Sequence, residues 1–232
     1  MSKVIVDVDS MIYAVGFASN GEPERNAFHT LKIKMKMLQN RLALPLEIWM
    51  DRAGYMTDRE KMYPDYKGTR VSEKPEHYHA MRQYLKKHWG AQEAPMGLET
   101  DDIVAIRLTQ DKQAVLAGID KDLLQVPGMH YNWNKDALVE IDEYTADYNL
   151  YTQCLVGDTS DNVPGLPGVG PKGSAECLDH CTDTESFQRT CLDLYEEYWG
   201  EVDGRLAMDL TMHLLYLKRS EEDSWKWQID IE

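Results

Sequence analysis

Long apolar runs are missing from this 232-residue chain: none approaches the ~18 residues that a membrane-spanning helix needs. Met-Ser-Lys passes straight into Val4-Ile5-Val6, which reads as a buried strand and not as a signal peptide. The expectation is a cytoplasmic protein with no membrane partner. Cysteine is scarce. Four of them (Cys154, Cys177, Cys181 and Cys191) do not make a disulfide framework in a chain this long. Cys177, His180, Cys181 and Cys191 lack the paired spacing of a zinc site and read as reduced thiols packed on helices. Linkers, internal repeats and low-complexity tracts are absent as well. What is left, 43% hydrophobic and 28% charged, is the composition of an ordinary globular protein. Its length suits one substantial domain, or a core with a small appended lobe.

Positive charge is also in short supply, with 25 Lys and Arg against 40 Asp and Glu and a formal net charge of −15. Such a balance argues at first sight against a nucleic-acid partner. The distribution changes that. Residues 173–232 carry 15 acids and 5 bases, whereas the stretch 52–88 carries 9 bases and 5 acids. Many of the remaining acids belong to a single constellation, so the sum does not exclude DNA.

Periodicity gives the order of elements. Residues 4–8 and 46–50 are short apolar runs and read as strands; 94–96 and 114–117 are further candidates. Helical spacing marks 26–41, with Leu31, Met35, Leu38 and Leu42 on one face. Pro75 reads as the first position of a helix reaching His88, and 99–110 as a helix with an acidic first turn. Residues 52–74, rich in Tyr, Lys, Arg and Gly and without a clean period, read as a long functional loop. The stretch from 158 to 178 is punctuated by Gly and Pro and then helical, and the rest reads as helical and acidic. Alternation of strands and helices predicts an α/β fold, a parallel sheet with helices on both faces.

Acids fall at telling places on that sheet. Asp7 and Asp51 end their strands, and Asp120 and Asp122 lie just past another. Open α/β sheets bind ligands outside the carboxyl ends of their strands. Glu99, Asp101 and Asp102 cluster at a helix start; Asp158 and Asp161, three apart, would share a face on a helical turn. Crowded carboxylates repel one another unless a cation sits between them. Hard oxygen ligands in that number suit Mg²⁺ or Mn²⁺. Any one of these acids has a plainer reading: first-turn dipole chemistry for Glu99 or Asp101, a cap or turn for Asp158, an ion pair with Arg52 for Asp51. Asp9 reads as the N-cap of the next helix, with an accessory metal role as its alternative.

Two further stretches carry chemistry. In Val163-Pro164-Gly165-Leu166-Pro167-Gly168-Val169-Gly170-Pro171-Lys172-Gly173, closely spaced glycines let backbone amides approach phosphates. The helix that follows offers its N-terminus, and Lys172 a point charge. In the basic segment, Lys61, Lys67, Arg70 and Lys74 alternate with Tyr55, Tyr63 and Tyr66, combining phosphate contacts with base stacking.

Taken with the acid clusters, Gly157-Asp158-Thr159-Ser160-Asp161-Asn162 and the glycine hairpin resemble the 5′-nuclease superfamily. That group includes phage 5′-exonucleases, the 5′-nuclease domain of DNA polymerase I and the flap endonucleases. The likeness runs from Val4 to Leu178. Asp51, Arg59 and Tyr63-Pro64-Asp65-Tyr66-Lys67-Gly68-Thr69-Arg70 resemble its helical arch segment. Glu99-Thr100-Asp101-Asp102 and Asp120-Lys121-Asp122 resemble its central acidic motifs. The resemblance implies a PIN-like nuclease core over residues 1–150, with an arch segment at 52–90. It also implies a helix–three-turn–helix DNA-binding region and an acidic helical C-terminus over 151–232. Asp7, Asp51, Glu99 and Asp101 would hold one Mg²⁺ or Mn²⁺. Asp120, Asp122, Asp158 and Asp161 would hold a second, with Asp102 shared. Lys67 and Arg70 would touch the scissile phosphate. Lys61, Tyr66, Lys74, Gly165, Gly168, Gly170 and Lys172 would bind DNA, with a K⁺ at the hairpin. One departure stands out: the family's usual small residue two positions after the first aspartate is Asp9 here.

The reading is thus a monomeric, metal-dependent 5′-nuclease acting on DNA ends, flaps or junctions, and on RNA–DNA hybrids, in replication or repair in a bacterial or phage-infected cell. Two rivals come from other classes. A PIN-type ribonuclease would leave the glycine hairpin without use, and a non-enzymatic DNA mimic would spread its acids over a surface.

Overall fold

The computed structural model describes residues 1–69 and 73–231. The first apolar run forms β1 (Val4–Asp7), with every residue buried. It leads through α1 (Asp9–Ala18) and α2 (Glu24–Leu42) to β2 (Leu46–Met50). The helical spacing in α2 is real: Ala27, Leu31, Met35 and Leu38 are its buried residues, and Ala43 ends it in a left-handed conformation. After α3 (Asp58–Met62) come α4 (Tyr78–Trp89), β3 (Gln92–Glu93), α5 (Thr100–Gln110) and β4 (Val115–Ala117). Then follow β5 (Gly128–Asn132), β6 (Ala137–Ile141) and the helices α6 (Glu143–Val156), α7 (Pro171–Leu178), α8 (Thr184–Trp199) and α9 (Glu201–Leu215).

The six strands make one sheet in the order β3-β2-β1-β4-β5-β6. β3, β2, β1, β4 and β5 pair in parallel, with Asp7 opposite Trp49 and Val6 opposite Ala117. Strands 4–8 and 46–50 were therefore legible to within a residue. The candidate at 94–96 instead pairs two residues earlier, at Gln92–Glu93.

The chain divides into two compact units, the first comprising 1–55, 72–123 and 128–140. In it Val4 and Val6 join Met11, Leu31, Met35, Met81 and Leu85 in one apolar cluster. Ile5 points to the opposite face and is equally buried, and α5 packs against β1, β2 and β4. Helices thus cover both faces, as the pattern predicted.

The second unit comprises 56–71, 124–127 and 141–232. Its core centres on Tyr151, Phe187 and Tyr195, with Phe187 stacked on Tyr151 at 5.6 Å. The Tyr195 hydroxyl donates to the Cys154 carbonyl at 2.7 Å. All four cysteines are free thiols, and Cys154, Cys181 and Cys191 are buried.

Several expectations need correction. By contacts the chain divides near residue 141, just ahead of α6. The segment 52–90 is not one piece: 56–69 packs with the second unit, while α4 contributes Met81 and Leu85 to the sheet's core. Residues 52–74 are not all loop, because Thr57 and Glu60 form a reciprocal capping box that starts α3. Pro75 precedes α4 by three residues and is not its first. Asp9 is the first residue of α1 and not its cap, which is Val8. Asp158 and Asp161 lie in a turn closed by an antiparallel bridge between Asp158 and Val163, not on a helix. Beyond Leu215 the described residues, 216–231, are no longer helical.

Candidate active site

Because β2, β1 and β4 are parallel neighbours, their carboxyl ends open on one edge of the first unit. Asp7 ends β1, Asp51 follows β2 and Asp120 lies three residues past β4. Topology alone gathers these three acids at the edge where α/β sheets bind ligands.

Hydrogen bonds tie the rim together. Asp7 Oδ1 accepts the Asp9 N–H at 3.0 Å, and Asp9 Oδ2 accepts the Asp51 N–H at 2.7 Å. The Thr100 hydroxyl lies 2.8 Å from both Asp9 Oδ2 and Asp51 Oδ1, and the Thr100 N–H donates to Asp51 Oδ1 at 2.9 Å. Thr100 opens α5, so this pair of contacts fixes the helix start against β2. At the same helix start Asp102 Oδ2 accepts the Glu99 N–H at 3.3 Å, and Glu99 and Asp102 are buried. Asp101 is half-buried. Asp120 Oδ1 accepts the Asp122 N–H at 3.0 Å, and Lys121 Nζ lies 3.9 Å from Asp122.

Arg82 stands behind the rim, its side chain 4% exposed. Its guanidinium donates to the Asp51 carbonyl, lies 3.4 Å from Asp9 Oδ1 and 3.1 Å from Glu93, and sits over the Tyr78 ring. Asp51 does not pair with Arg52, which instead donates to the Ala94 carbonyl at 2.9 Å.

Burial pushes the Asp7 carboxyl well above the ordinary carboxylate range, and the charges of Asp9, Asp51 and Asp120 push it further. Asp9 is raised to about 7 by burial and by Asp51, against the opposing pull of the Asp51 N–H, Thr100 and Arg82. Such crowding of negative charge is what a bound cation relieves. Among the described residues no group of three or more His, Cys, Asp or Glu is arranged to hold a metal ion as it stands. The donor set is nevertheless all hard carboxylate oxygen, which fits Mg²⁺ or Mn²⁺ once a cation draws the rim acids together.

The second unit holds the remaining candidates. Asp158 Oδ1 accepts from the Ser160 N–H at 2.7 Å, the Ser160 hydroxyl at 2.6 Å and the Asp161 N–H at 3.1 Å, which makes the turn rigid. Asp161 is joined to the basic segment: its carbonyl accepts the Lys67 N–H at 2.8 Å, and its carboxylate lies 3.7 Å from Lys67 Nζ. Lys67 holds a left-handed backbone (φ 56°), and Asn162 anchors the same loop by donating to the Asp65 carbonyl at 2.8 Å. Arg70 lies outside the described residues.

Tyr66 is a correction. Its ring is not available for base stacking but is buried among Tyr151, Leu155 and Leu166 in the second unit's core. Lys61 pairs with Asp58 at 3.0 Å on α3, and Lys74 caps the Tyr78 ring at 4.8 Å in the first unit. The three hairpin glycines differ in kind. A Cβ on Gly165 would meet Gly157 N and the Val156 carbonyl carbon at 2.3 Å, so Gly165 is there for packing against the end of α6. Gly168 has φ +84° with open space around it. Gly170 is the N-cap of α7, also in open space, with Pro171 at the first helical turn. Lys172 is 92% exposed and lies 3.7 Å from Glu176.

Arg82 and Thr100 were missed as site residues. A signal for Arg82 exists: it shares a helical face with Tyr78, Met81 and Leu85, the other buried residues of α4. A charge on an apolar face needs a buried partner.

Comparison with known proteins agrees with this architecture. Residues 2–150 match the family model described as the 5′-3′ exonuclease, N-terminal resolvase-like domain. DNA polymerase I of Rhizobium leguminosarum is 31% identical over 177 residues, which cover 66% of this chain and 17% of that protein. A 5′-3′ exonuclease of Aquifex aeolicus (strain VF5) is 26% identical over 246 residues, covering 94% of this chain and 84% of the relative. This chain thus spans only 17% to 25% of the length of the DNA polymerase I relatives. Among solved structures, T5 5′-exonuclease with bound divalent zinc superposes with a TM-score of 0.60 at 14% identity, covering 93% of this chain and 100% of that one. The catalytic core of Rad2 in complex with DNA gives a TM-score of 0.58 at 17% identity, covering 88% and 66%. At such identities the likeness is one of fold.

Proposed function

The chain belongs to the 5′-3′ exonuclease N-terminal resolvase-like family, and we propose that it is a Mg²⁺-dependent 5′-nuclease. On this reading it hydrolyses DNA phosphodiester bonds at 5′ ends, flaps or junctions and leaves 5′-phosphate and 3′-hydroxyl products. The observation that carries this reading is the placement of Asp7, Asp51 and Asp120 at the carboxyl ends of three adjacent parallel strands. DNA as substrate draws support from the DNA complexes of the Rad2 core and of the T5 D15 flap endonuclease. Divalent metal draws support from the ions bound to the T5 proteins.

We assign Asp7, Asp51, Glu99 and Asp101 to one divalent ion and Asp120 and Asp122 to a second, with Asp102 supporting the helix start. Asp158 and Asp161 are the carboxylates of the second unit assigned to cation binding. Such ions, when bound, polarise the phosphate and make water a nucleophile near neutral pH. The chain's own residues do the rest. Thr100 and the Asp9 carboxylate hold Asp51 in place. Lys67 and Arg70 carry the positive charge that stabilises the phosphate oxygens as negative charge grows on them. Gly168, Gly170 and Lys172 offer backbone amides and one cation to a duplex phosphate. Lys61 and Lys74 add sequence-independent phosphate attraction. RNA of RNA–DNA hybrids, a K⁺ at the hairpin, a monomeric state and a role in replication or repair complete the proposal.

Its test is cleavage of 5′-labelled blunt duplex, 5′-flap and RNA–DNA hybrid substrates, with the product ends identified. Mg²⁺-dependent release of 5′-phosphorylated products from the DNA substrates is expected. Cleavage of single-stranded RNA alone would move the protein to the PIN-type ribonucleases, and no cleavage of any substrate would favour a DNA mimic.

A further inference from the structure

We propose that Asp9 and Arg82 form an internal clamp that positions Asp51, with Thr100 as the bridge, and that Asp9 is not itself a metal ligand. The inference rests on the reading of the rim as metal-binding.

Asp51 is held at three points. Asp9 Oδ2 takes its N–H at 2.7 Å, Arg82 donates to its carbonyl, and the Thr100 N–H donates to Oδ1 at 2.9 Å, with the single Thr100 hydroxyl proton shared between Asp51 Oδ1 and Asp9 Oδ2, each 2.8 Å away. Fixing the N–H, the carbonyl and one carboxylate oxygen leaves the residue little freedom of backbone or side chain. Asp51 itself is exposed at the rim. The Asp9 side chain, by contrast, is 16% exposed, and its oxygens face inward. Oδ2 serves Asp51 and Thr100, and Oδ1 faces the guanidinium of Arg82 at 3.4 Å. With both of its oxygens turned to Asp51, Thr100 and Arg82, the Asp9 carboxylate serves as an anchor for Asp51.

Arg82 gives the clamp its counter-charge. It is buried, and its two charge partners are Asp9 and Glu93, at 3.4 and 3.1 Å. Glu93 is also held by Lys86 at 2.7 Å, so losing Arg82 does not strip Glu93 of positive charge. Residues that hold a metal ligand by hydrogen bonds are worth about ten- to a hundredfold in metal affinity. A clamp on Asp51 should therefore be felt in cation affinity as well as in folding.

The test is Mn²⁺ affinity of the whole protein, read by electron paramagnetic resonance of the free ion, with thermal melts run alongside. Asp9→Ala removes the acceptor, and its affinity should fall about tenfold or more. The double variant Asp9→Asn with Arg82→Gln keeps an oxygen facing Asp51 and Thr100, a donor facing the Asp51 carbonyl, and the net charge. Its affinity should stay within about threefold of the parent's, a difference of less than a tenfold step. Thr100→Val should weaken Mn²⁺ about tenfold and Thr100→Ser restore it, which keeps the inference testable where the double variant fails to fold. If the double variant binds as weakly as Asp9→Ala, or Thr100→Val binds like the parent, the clamp is wrong. A parent that binds no Mn²⁺ would overturn the metal reading and the clamp with it.

Discussion

The Tyr66 hydroxyl donates a 3.0 Å hydrogen bond to Asp161 Oδ2. A residue of the basic segment is thereby fastened to one of the acids of the glycine-hairpin region, with its ring sunk in the core beneath. The contact is to a charged acceptor and is shielded from water, which makes it worth about 1.5–3 kcal/mol. Tyr66→Phe keeps the ring and removes only the hydroxyl, so thermal melts should shift down by roughly 3–10 °C for a chain of this size. An unchanged melting temperature would mean that the bond contributes nothing.

The hairpin glycines separate packing from phosphate binding. Gly165→Ala must displace the end of α6, where backbone atoms lie 2.3 Å from the new Cβ. It should therefore lower the melting temperature strongly. Gly170→Ala places its methyl in open space at φ −104°, so the fold should be unaffected. Melts of the two proteins check this, and equal losses would place Gly165 and Gly170 in the same role.

Stability without metal should fall as pH rises through neutrality. Burial, with the neighbouring acids, holds the Asp7 carboxyl well above its ordinary value of 3.8 and Asp9 at about 7. In the folded protein these groups keep protons that the unfolded chain has released. Their contribution is complete below about pH 4, declines as pH rises, and for Asp9 is gone above about 7. Metal-free protein should therefore melt lower at pH 8 than at pH 5.5, and Asp9→Asn should make that difference smaller. Added Mg²⁺ should restore more stability at pH 8, where the carboxylates give up their protons to it readily. A metal-free melting temperature that rises over this range, or a Mg²⁺ effect equal at both pH values, would contradict the assignment.

How much of this was legible in the sequence depended on whether the signal was local. β1 and β2 announce themselves as short apolar runs, and α2 by its spacing. Asp7, Asp51 and Asp120 could be placed because strand ends can be read from the runs before them. β5 and β6 could not: Gly128-Met129-His130-Tyr131-Asn132 has no run, and Ala137–Glu140 is exposed. Side-chain roles that depend on long-range contacts were also hidden. Tyr66 reads as a free aromatic in a basic loop, but the fold buries its ring in the second unit's core and joins its hydroxyl to Asp161. Arg82 looks like one more cation before Lys86, Lys87 and His88, and only the fold brings Asp9 and Asp51 to it from residues 73 and 31 positions away. At Asp158 the sequence left a helical turn and a plain turn both open, because a three-residue spacing does not distinguish a helix from a turn built on the aspartate's own hydrogen bonds.

Lys67 carries the part of the mechanism assigned to the second unit. It is held beside Asp161 with only 18% of its side chain exposed, so it is not an ordinary solvated surface cation. If it stabilises charge in the transition state, Lys67→Ala should lower the single-turnover rate about 100- to 1000-fold, with a much smaller loss of DNA affinity. A rate within about threefold of the parent's, accompanied by weaker and less salt-dependent binding, would make it a phosphate-contact residue only.

The central claim is that the acids at the carboxyl ends of β2, β1 and β4 cleave DNA through a divalent ion. It is tested most directly by the single-turnover rate on a 5′-flap substrate at saturating enzyme, for the parent and for Asp7→Asn, in Mg²⁺ and in EDTA. The parent should cleave rapidly in Mg²⁺ and not at all in EDTA, and Asp7→Asn should cleave at least about 100-fold more slowly in Mg²⁺. Cleavage by the parent that survives EDTA, or an Asp7→Asn rate equal to the parent's, would contradict it.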